Sequence, residues 1–404
     1  MTRLKVLTFS TLFPSSVRPG HGIFVETRLR ELVKSGEVES RVVAPVPWFP
    51  STKPRWGDYA RFAATPAREQ RNGLDVLHPR YLLLPKVGMT TAPLTLALGA
   101  RAALQQVIDE GFDFDVIDAH YYYPDGVAAA LLAKWFRKPL AVTARGSDVN
   151  LIGRHGLPRR WMRWASKIAD ASIGVSQALV DRMNELGIVS PRQLVLRNGV
   201  DVERFRADAD RVALRARLGA EGSPLLVSVG NLVPLKGHDL VIEALAILRG
   251  QGLQARLCII GAGPLRPTLE ALADRLGLRS EVRFLGALPQ QDLAGWYAAA
   301  DMLLLASERE GWPNVLLESM ACGTPVIATA VGGIPEIVKM PFTGRVVEER
   351  SARSLAEAAK ALWQSPSSRD AVRGYAQGFG WQATTEGQLT LFGDMARCWR
   401  ARHA

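Results

Sequence analysis

Cysteine is scarce: three in 404 residues, Cys258, Cys322 and Cys398, an odd number with no close pair. A disulfide framework is excluded, and buried thiols in a reducing compartment are the natural reading. Nothing in the sequence resembles a zinc site. Asp113 and Asp115 form an Asp-x-Asp pair but precede their strand, at the end away from a ligand crevice, so no catalytic metal is expected. No window approaches eighteen uninterrupted apolar residues. The opening MTRLKVLTFS becomes apolar for only a few residues before TLFPSSVRPGHG, without the apolar stretch and small-residue site of a secretory leader. A cytoplasmic protein, with at most a peripheral hold on a membrane, is therefore expected.

What the chain has is length, apolar content and unevenly placed charge. A length of 404 residues implies about two domains, and 48% hydrophobic residues supply their cores. The net charge is +11, yet residues 1–200 hold 27 Lys and Arg against 17 Asp and Glu, out of 50 and 39 overall, so almost all the excess lies in the first half. Two segments there interleave Arg with aromatics, WFPSTKPRWGDYARF (48–62) and RHGLPRRWMRW (154–164). Such segments suit an anionic membrane surface or an anionic acceptor. No nucleic-acid-binding motif accompanies them, and nucleic acid is not expected as a partner.

Short apolar runs alternate with amphipathic stretches throughout. In the first half, strands are predicted at 4–9, 41–44, 116–119, 140–143 and 171–175, and helices at 23–34, 92–108, 126–136 and 176–186. Residues 45–73, rich in Pro, Trp and Arg, read as a long irregular insertion. The Asn-Gly turn in LVLRNGVDVERF marks a linker near 198, and a second series follows: strands at 225–229, 255–260, 282–285 and 302–306, helices at 239–249, 265–276 and 293–300. The pattern predicts two doubly wound α/β domains facing a cleft, 1–198 and 199–380, with a terminal helix over 381–404 that could return to the first.

Residues 302–337 carry the densest chemistry. An apolar strand is followed by a polar, glycine-bearing loop and then Pro313, whose fixed φ suits a first helical turn. Glu310 falls in the crevice at the carboxyl end of that strand, where ligands of α/β sheets bind. Glu318 lies two turns into the helix, so one ligand touching both must be extended and hydroxylated, as a nucleotide sugar is. The N–H groups from Gly311 to Val315 would face an anion at the helix start. Lys236 sits between a strand and Gly237 at another helix start, suited to a diphosphate.

In this order, EGWPNVLLE (310–318), ACGTPVIAT, GGIPEIV, GNLVPLKGHDLVIEA (230–244), IIGAGPLRP (259–267), IGVSQAL (173–179) and RNGVD (197–201) resemble the retaining glycosyltransferases of family 4, which have the GT-B fold. The resemblance covers nearly the whole chain. It implies a nucleotide-sugar-binding second domain and an acceptor-binding first domain, with a UDP- or GDP-sugar as donor, a glycan or polyprenyl- or other lipid-linked acceptor, and no cofactor. Glu310 would meet the hydroxyls of the donor sugar and Glu318 those of the ribose. Gly311, Pro313, Asn314 and Val315 would shape the loop at sugar and diphosphate. Gly230 and Asn231 would adjoin Lys236, and Gly261, Gly263 and Leu288 would approach the base. Gly20 and Gly22 resemble the N-terminal glycine loop of the family, here with His21 between them. His120, ending VIDAH, would lie beside the donor sugar, where its ring or its carbonyl stabilises developing positive charge.

One position departs from the pattern: Asn231 stands where many members carry Arg. Either Lys236 works alone or a second cation compensates, and Arg145 in TARGSDV is the candidate. Two rivals fit the same residues, a nucleotide-sugar epimerase of this fold and a non-catalytic glycan- or nucleotide-binding subunit.

Overall fold

Strands covered on both faces need no polar alternation. Val116–His120, Leu140–Ala144 and Leu225–Val229 are buried at every position. The computed structural model describes residues 3–83, 88–208, 210–222 and 224–403. It divides into two compact units, Met1–Asn198 with Trp381–Ala404, and Gly199–Gly380.

The first unit holds an eight-stranded sheet. Its order is Gln193–Val195, Ala171–Gly174, Leu140–Ala144, Val116–His120, Leu4–Phe9, Val38–Val43, Leu74–Leu77 and Arg68–Arg71. All neighbours are parallel except the last pair. The chain builds outward from Leu4–Phe9 in one direction and from Val116–His120 in the other, so the switch point lies between these two strands. The terminal helix, Gln382–His403, belongs to this unit. It buries Leu391, Phe392 and Met395 against Val6, Val116 and Ala141, each worth about 1.5–3 kcal/mol.

The second unit holds a six-stranded parallel sheet. Its order is Val282–Gly286, Arg256–Ile260, Leu225–Val229, Met302–Leu305, Val326–Thr329 and Gly344–Val347. Its switch point lies between Leu225–Val229 and Met302–Leu305. The loops leaving those two strands carry Lys236 and Glu310. Helices His238–Gly250 and Ala352–Gln364 cover one face through Leu245, Leu248, Leu355 and Leu362.

Two expectations are corrected. Residues 45–73 are not irregular: Val46–Pro47 pairs with Arg80–Tyr81, Asp58–Ala64 is a helix, and Arg68–Arg71 is an edge strand. The charged REQR conceals a strand because edge strands are protected by charge, and Asn72 and Gly73, both at positive φ, make the tight turn to Leu74–Leu77. Pro313 stands one residue before the helix, as the extended N-cap of Asn314–Ala321 at φ −77° and ψ 98°, because the chain is still leaving the loop there.

Candidate active site

In the second unit, the folding of Leu225–Val229 beside Met302–Leu305 brings together side chains far apart in sequence. Lys236 Nζ donates to Glu310 Oε1 at 2.5 Å, and Ser307 Oγ donates to the same oxygen at 2.6 Å. The lysine and glutamate side chains keep 22% and 11% of their surface exposed, so the pair is shielded but reachable. Glu318 is buried and accepts a hydrogen bond from the Tyr297 hydroxyl at 3.0 Å. Burial pushes its carboxyl up to about 7, against the pull of that hydrogen bond and of Arg204.

The surrounding backbone is packed too tightly for side chains. A Cβ on Gly261 would lie 1.8 Å from Gly230 O, one on Gly263 2.4 Å from Leu232 O, and one on Gly332 1.9 Å from Glu310 O. Gly237, at φ +65°, would place a Cβ 2.2 Å from Ala306 O. These glycines therefore join the loops after the strands into one surface, which Asn231 faces exposed and Leu288 half-buried. Gly311 and Pro313 are buried, while Asn314 and Val315 are half-exposed at the helix start. Gly261→Ala is expected to cost about 2–3 kcal/mol in urea unfolding by forcing these loops apart. Gly20→Ala, with nothing within 4 Å of its Cβ, should stay within about 0.5 kcal/mol.

In the first unit, Gly22 is required by packing, since at φ +68° its Cβ would meet Leu12 O at 2.1 Å. His120, at the carboxyl end of its strand, is buried with both ring nitrogens engaged. Arg145 Nη2 donates to Nδ1 at 2.6 Å, and because a guanidinium can only donate, Nε2 carries the proton and donates to Asp118 Oδ2 at 3.0 Å. Burial lowers its pKa to about 4, so the ring is neutral at physiological pH. Its carbonyl accepts from Ser10 Oγ at 3.2 Å. Arg145 also donates to Asn198 Oδ1 at 2.9 Å; burial draws its pKa down to about 9, leaving it cationic. Asp125 accepts from the Thr11 N–H at 2.6 Å, and burial raises it to about 7.

Several residues here were not singled out in the sequence. Asp118 could have been, since it lies two positions before His120 on the same side of a strand. Ser307, three residues before Glu310, and Tyr297 on a neighbouring helix carry no local signal, while Gly332 opens the GGIPEIV segment without its contact with Glu310 being legible there. Arg28 reads as a solvated helix residue but is buried, with Nη1 donating to Leu196 O at 3.0 Å. Arg350 donates from Nε to Ala306 O at 2.9 Å, and its Nη2 lies 2.9 Å from where a Gly237 Cβ would stand, placing a second cation beside the residue that follows Lys236.

Known proteins resemble this chain over most of its length. Residues 210–379 match the family described as glycosyl transferases group 1, and residues 20–204 match glycosyltransferase family 4. A Bacillus subtilis glycosyltransferase named for teichuronic acid biosynthesis, TuaC, is 30% identical over 88% of this chain and 88% of its own. The D-inositol 3-phosphate glycosyltransferase of Actinosynnema mirum is 34% identical over 70% of this chain and 72% of its own. Among solved structures, sucrose-phosphate synthase from Thermosynechococcus elongatus superposes with a TM-score of 0.79 at 21% identity, covering 98% of this chain and 100% of that one. Anabaena HepE in complex with UDP-glucose gives 0.70 at 18% identity, covering 97% and 100%. The fold shared with these neighbours is GT-B, two Rossmann-like α/β units. The chain belongs to the group 1, family 4 glycosyltransferases and is a sugar-transferring enzyme of that fold.

Proposed function

We propose that this glycosyltransferase is retaining and metal-independent, and passes a sugar from a UDP- or GDP-sugar to a glycan or lipid-linked acceptor on the cytoplasmic side of a membrane, in polysaccharide or glycolipid synthesis. The observation that carries the reading is the Lys236–Glu310 pair at the switch point of the second unit, with Glu318 beyond it on the following helix. In this reading the diphosphate takes the Lys236 ammonium, the sugar hydroxyls donate to Glu310, and the ribose diol donates to Glu318. The N–H groups at residues 311–315 face the phosphates, and the base lies along Gly261, Gly263 and Leu288, with Gly230 and Asn231 forming the loop floor.

The bond from the anomeric carbon to the phosphate oxygen breaks, and its electron pair stays on the diphosphate. The acceptor oxygen bonds to the same face of that carbon, and its proton passes to the departing phosphate. Lys236 stabilises the charge as it develops, which a divalent cation would otherwise do; this supports metal independence. His120 and Arg145, with the Gly20 and Gly22 loop, are assigned to the sugar and acceptor side of the reaction. The neutral His120 ring serves by orienting Arg145, and its carbonyl offers negative potential. The names of the relatives, one for teichuronic acid and one for inositol 3-phosphate, favour a hydroxylated, anionic acceptor, as does the basic excess of residues 1–200.

Two measurements test this reading. Turnover with UDP-glucose or GDP-mannose and a set of polyprenyl diphosphate-linked sugars should release nucleotide only when acceptor is present, and should survive excess EDTA. Proton NMR of the product should show the anomeric configuration of the donor. An inverted product, or loss of turnover in EDTA, would contradict it, and interconversion of free nucleotide sugars without acceptor would assign an epimerase instead.

A further inference from the structure

The acid-free segment with the most basic residues in the chain lies largely in one helix. No acidic residue occurs between Asp148 and Asp170, while Arg154, Arg159, Arg160, Arg163 and Lys167 all do. Helix Gly156–Ile168 buries Pro158, Met162, Ala165 and Ser166, and packs on helices Val127–Phe136 and Gly88–Asp109. Its opposite arc carries two adjoining stripes. Arg160, Arg163 and Lys167 recur at i, i+3 and i+7 and are exposed; Leu157, Trp161 and Trp164 recur at i, i+4 and i+7.

Leu157 is 46% exposed, and the two half-buried indoles meet edge to face with centroids 5.7 Å apart. Arg154, Arg160 and Lys167 have no carboxylate partner among the described residues. Helix Gly88–Asp109, which touches this helix, also exposes Leu98 (63%) and Leu94 (41%).

We infer that this face of the first unit docks on an anionic bilayer surface. A plane of phosphates satisfies several unpaired guanidinium and ammonium groups at once without fixed geometry. Tryptophans and leucines beside the basic stripe are placed to enter the headgroup boundary while the charges stay at the phosphates. Among the described residues no helix is long and apolar enough to cross a membrane, so the contact is peripheral. The inference stands on the first unit and does not depend on which donor the second unit takes.

Co-sedimentation of the full chain with vesicles tests it. Binding is expected to phosphatidylcholine vesicles containing phosphatidylglycerol, not to phosphatidylcholine alone, and it should fall steeply with salt. The double variant Arg160→Gln, Lys167→Gln should lower the partition coefficient about thirty-fold, at about 1 kcal/mol per basic residue. The same loss of charge on the second unit, Arg275→Gln with Arg279→Gln, should leave it unchanged. An unaltered melting temperature and nucleotide-induced shift would show that the first variant is folded. Equal binding to neutral vesicles, or equal effects of the two variants, would overturn the inference. So would a concentration-dependent dimer dissolved by Arg160→Gln, Lys167→Gln, which would assign the face to a second copy of the chain.

Discussion

Lys236→Ala is expected to lower kcat/KM by roughly 10²- to 10³-fold, mostly in kcat, because a positioned cation at the leaving diphosphate acts most strongly where charge develops. The ground state predicts the same sensitivity. With Lys236 gone, the shielded Glu310 carboxylate keeps, among the described residues, only the Ser307 hydroxyl at 2.6 Å, and its charge opposes an incoming diphosphate. Lys236→Arg retains the charge but not its compact shape and should recover only part of the rate. Arg350→Ala, assayed alongside, tests whether this second cation compensates for Asn231. A further loss of tenfold or more would place it at the phosphates, and an unchanged rate would leave the charge to Lys236, alone or with Arg145.

Glu318→Gln is expected to move stability and affinity in opposite directions. The buried carboxyl of Glu318 has a folded-state pKa of about 7, above its ordinary value of 4.5. Between these two values the native state binds more protons than the unfolded one, so stability is lost as pH rises through that window, by an upper estimate of about 3 kcal/mol. The glutamine variant has no charge to bury, and Tyr297 can still donate to its amide oxygen. Free of nucleotide, it should therefore be more stable than the parent at pH 8 and match it near pH 4.5, by urea unfolding. Nucleotide affinity should fall by about 10- to 100-fold, since two hydroxyls lose a charged acceptor. Binding to the parent should release protons near pH 7, because hydroxyl donors favour the ionised carboxylate; calorimetry in buffers of different ionisation enthalpy would detect this. Equal destabilisation at every pH would mean that Glu318 is held by packing alone.

Much of this site was legible in the sequence, and for a physical reason. Strands covered by helices on both sides are written as unbroken apolar runs, so Leu225–Val229 and Met302–Leu305 stand out, and whatever follows them must lie at the carboxyl edge of the sheet. Lys236 and Glu310 are found by that logic. Tyr297 is not, because its hydroxyl reaches Glu318 only once helix Gln290–Ala299 packs on Asn314–Ala321. Arg28 has the surroundings of a solvated helix residue and becomes buried only when the Leu196 carbonyl arrives from 168 residues away. The edge strand Arg68–Arg71 escaped because the charge that protects an edge also erases the strand pattern.

The most direct measurement is a thermal-shift titration with UDP, GDP, ADP and TDP and their common sugars, on the parent chain and on Lys236→Ala. One nucleotide at about one hundred times its Kd should stabilise the native state by about 2.7 kcal/mol, a rise of roughly 5–10 °C, and the rise should vanish in the variant. A shift that survives Lys236→Ala would show that the diphosphate does not sit on the lysine. No shift with any nucleotide would mean that this glycosyltransferase fold has lost its donor site.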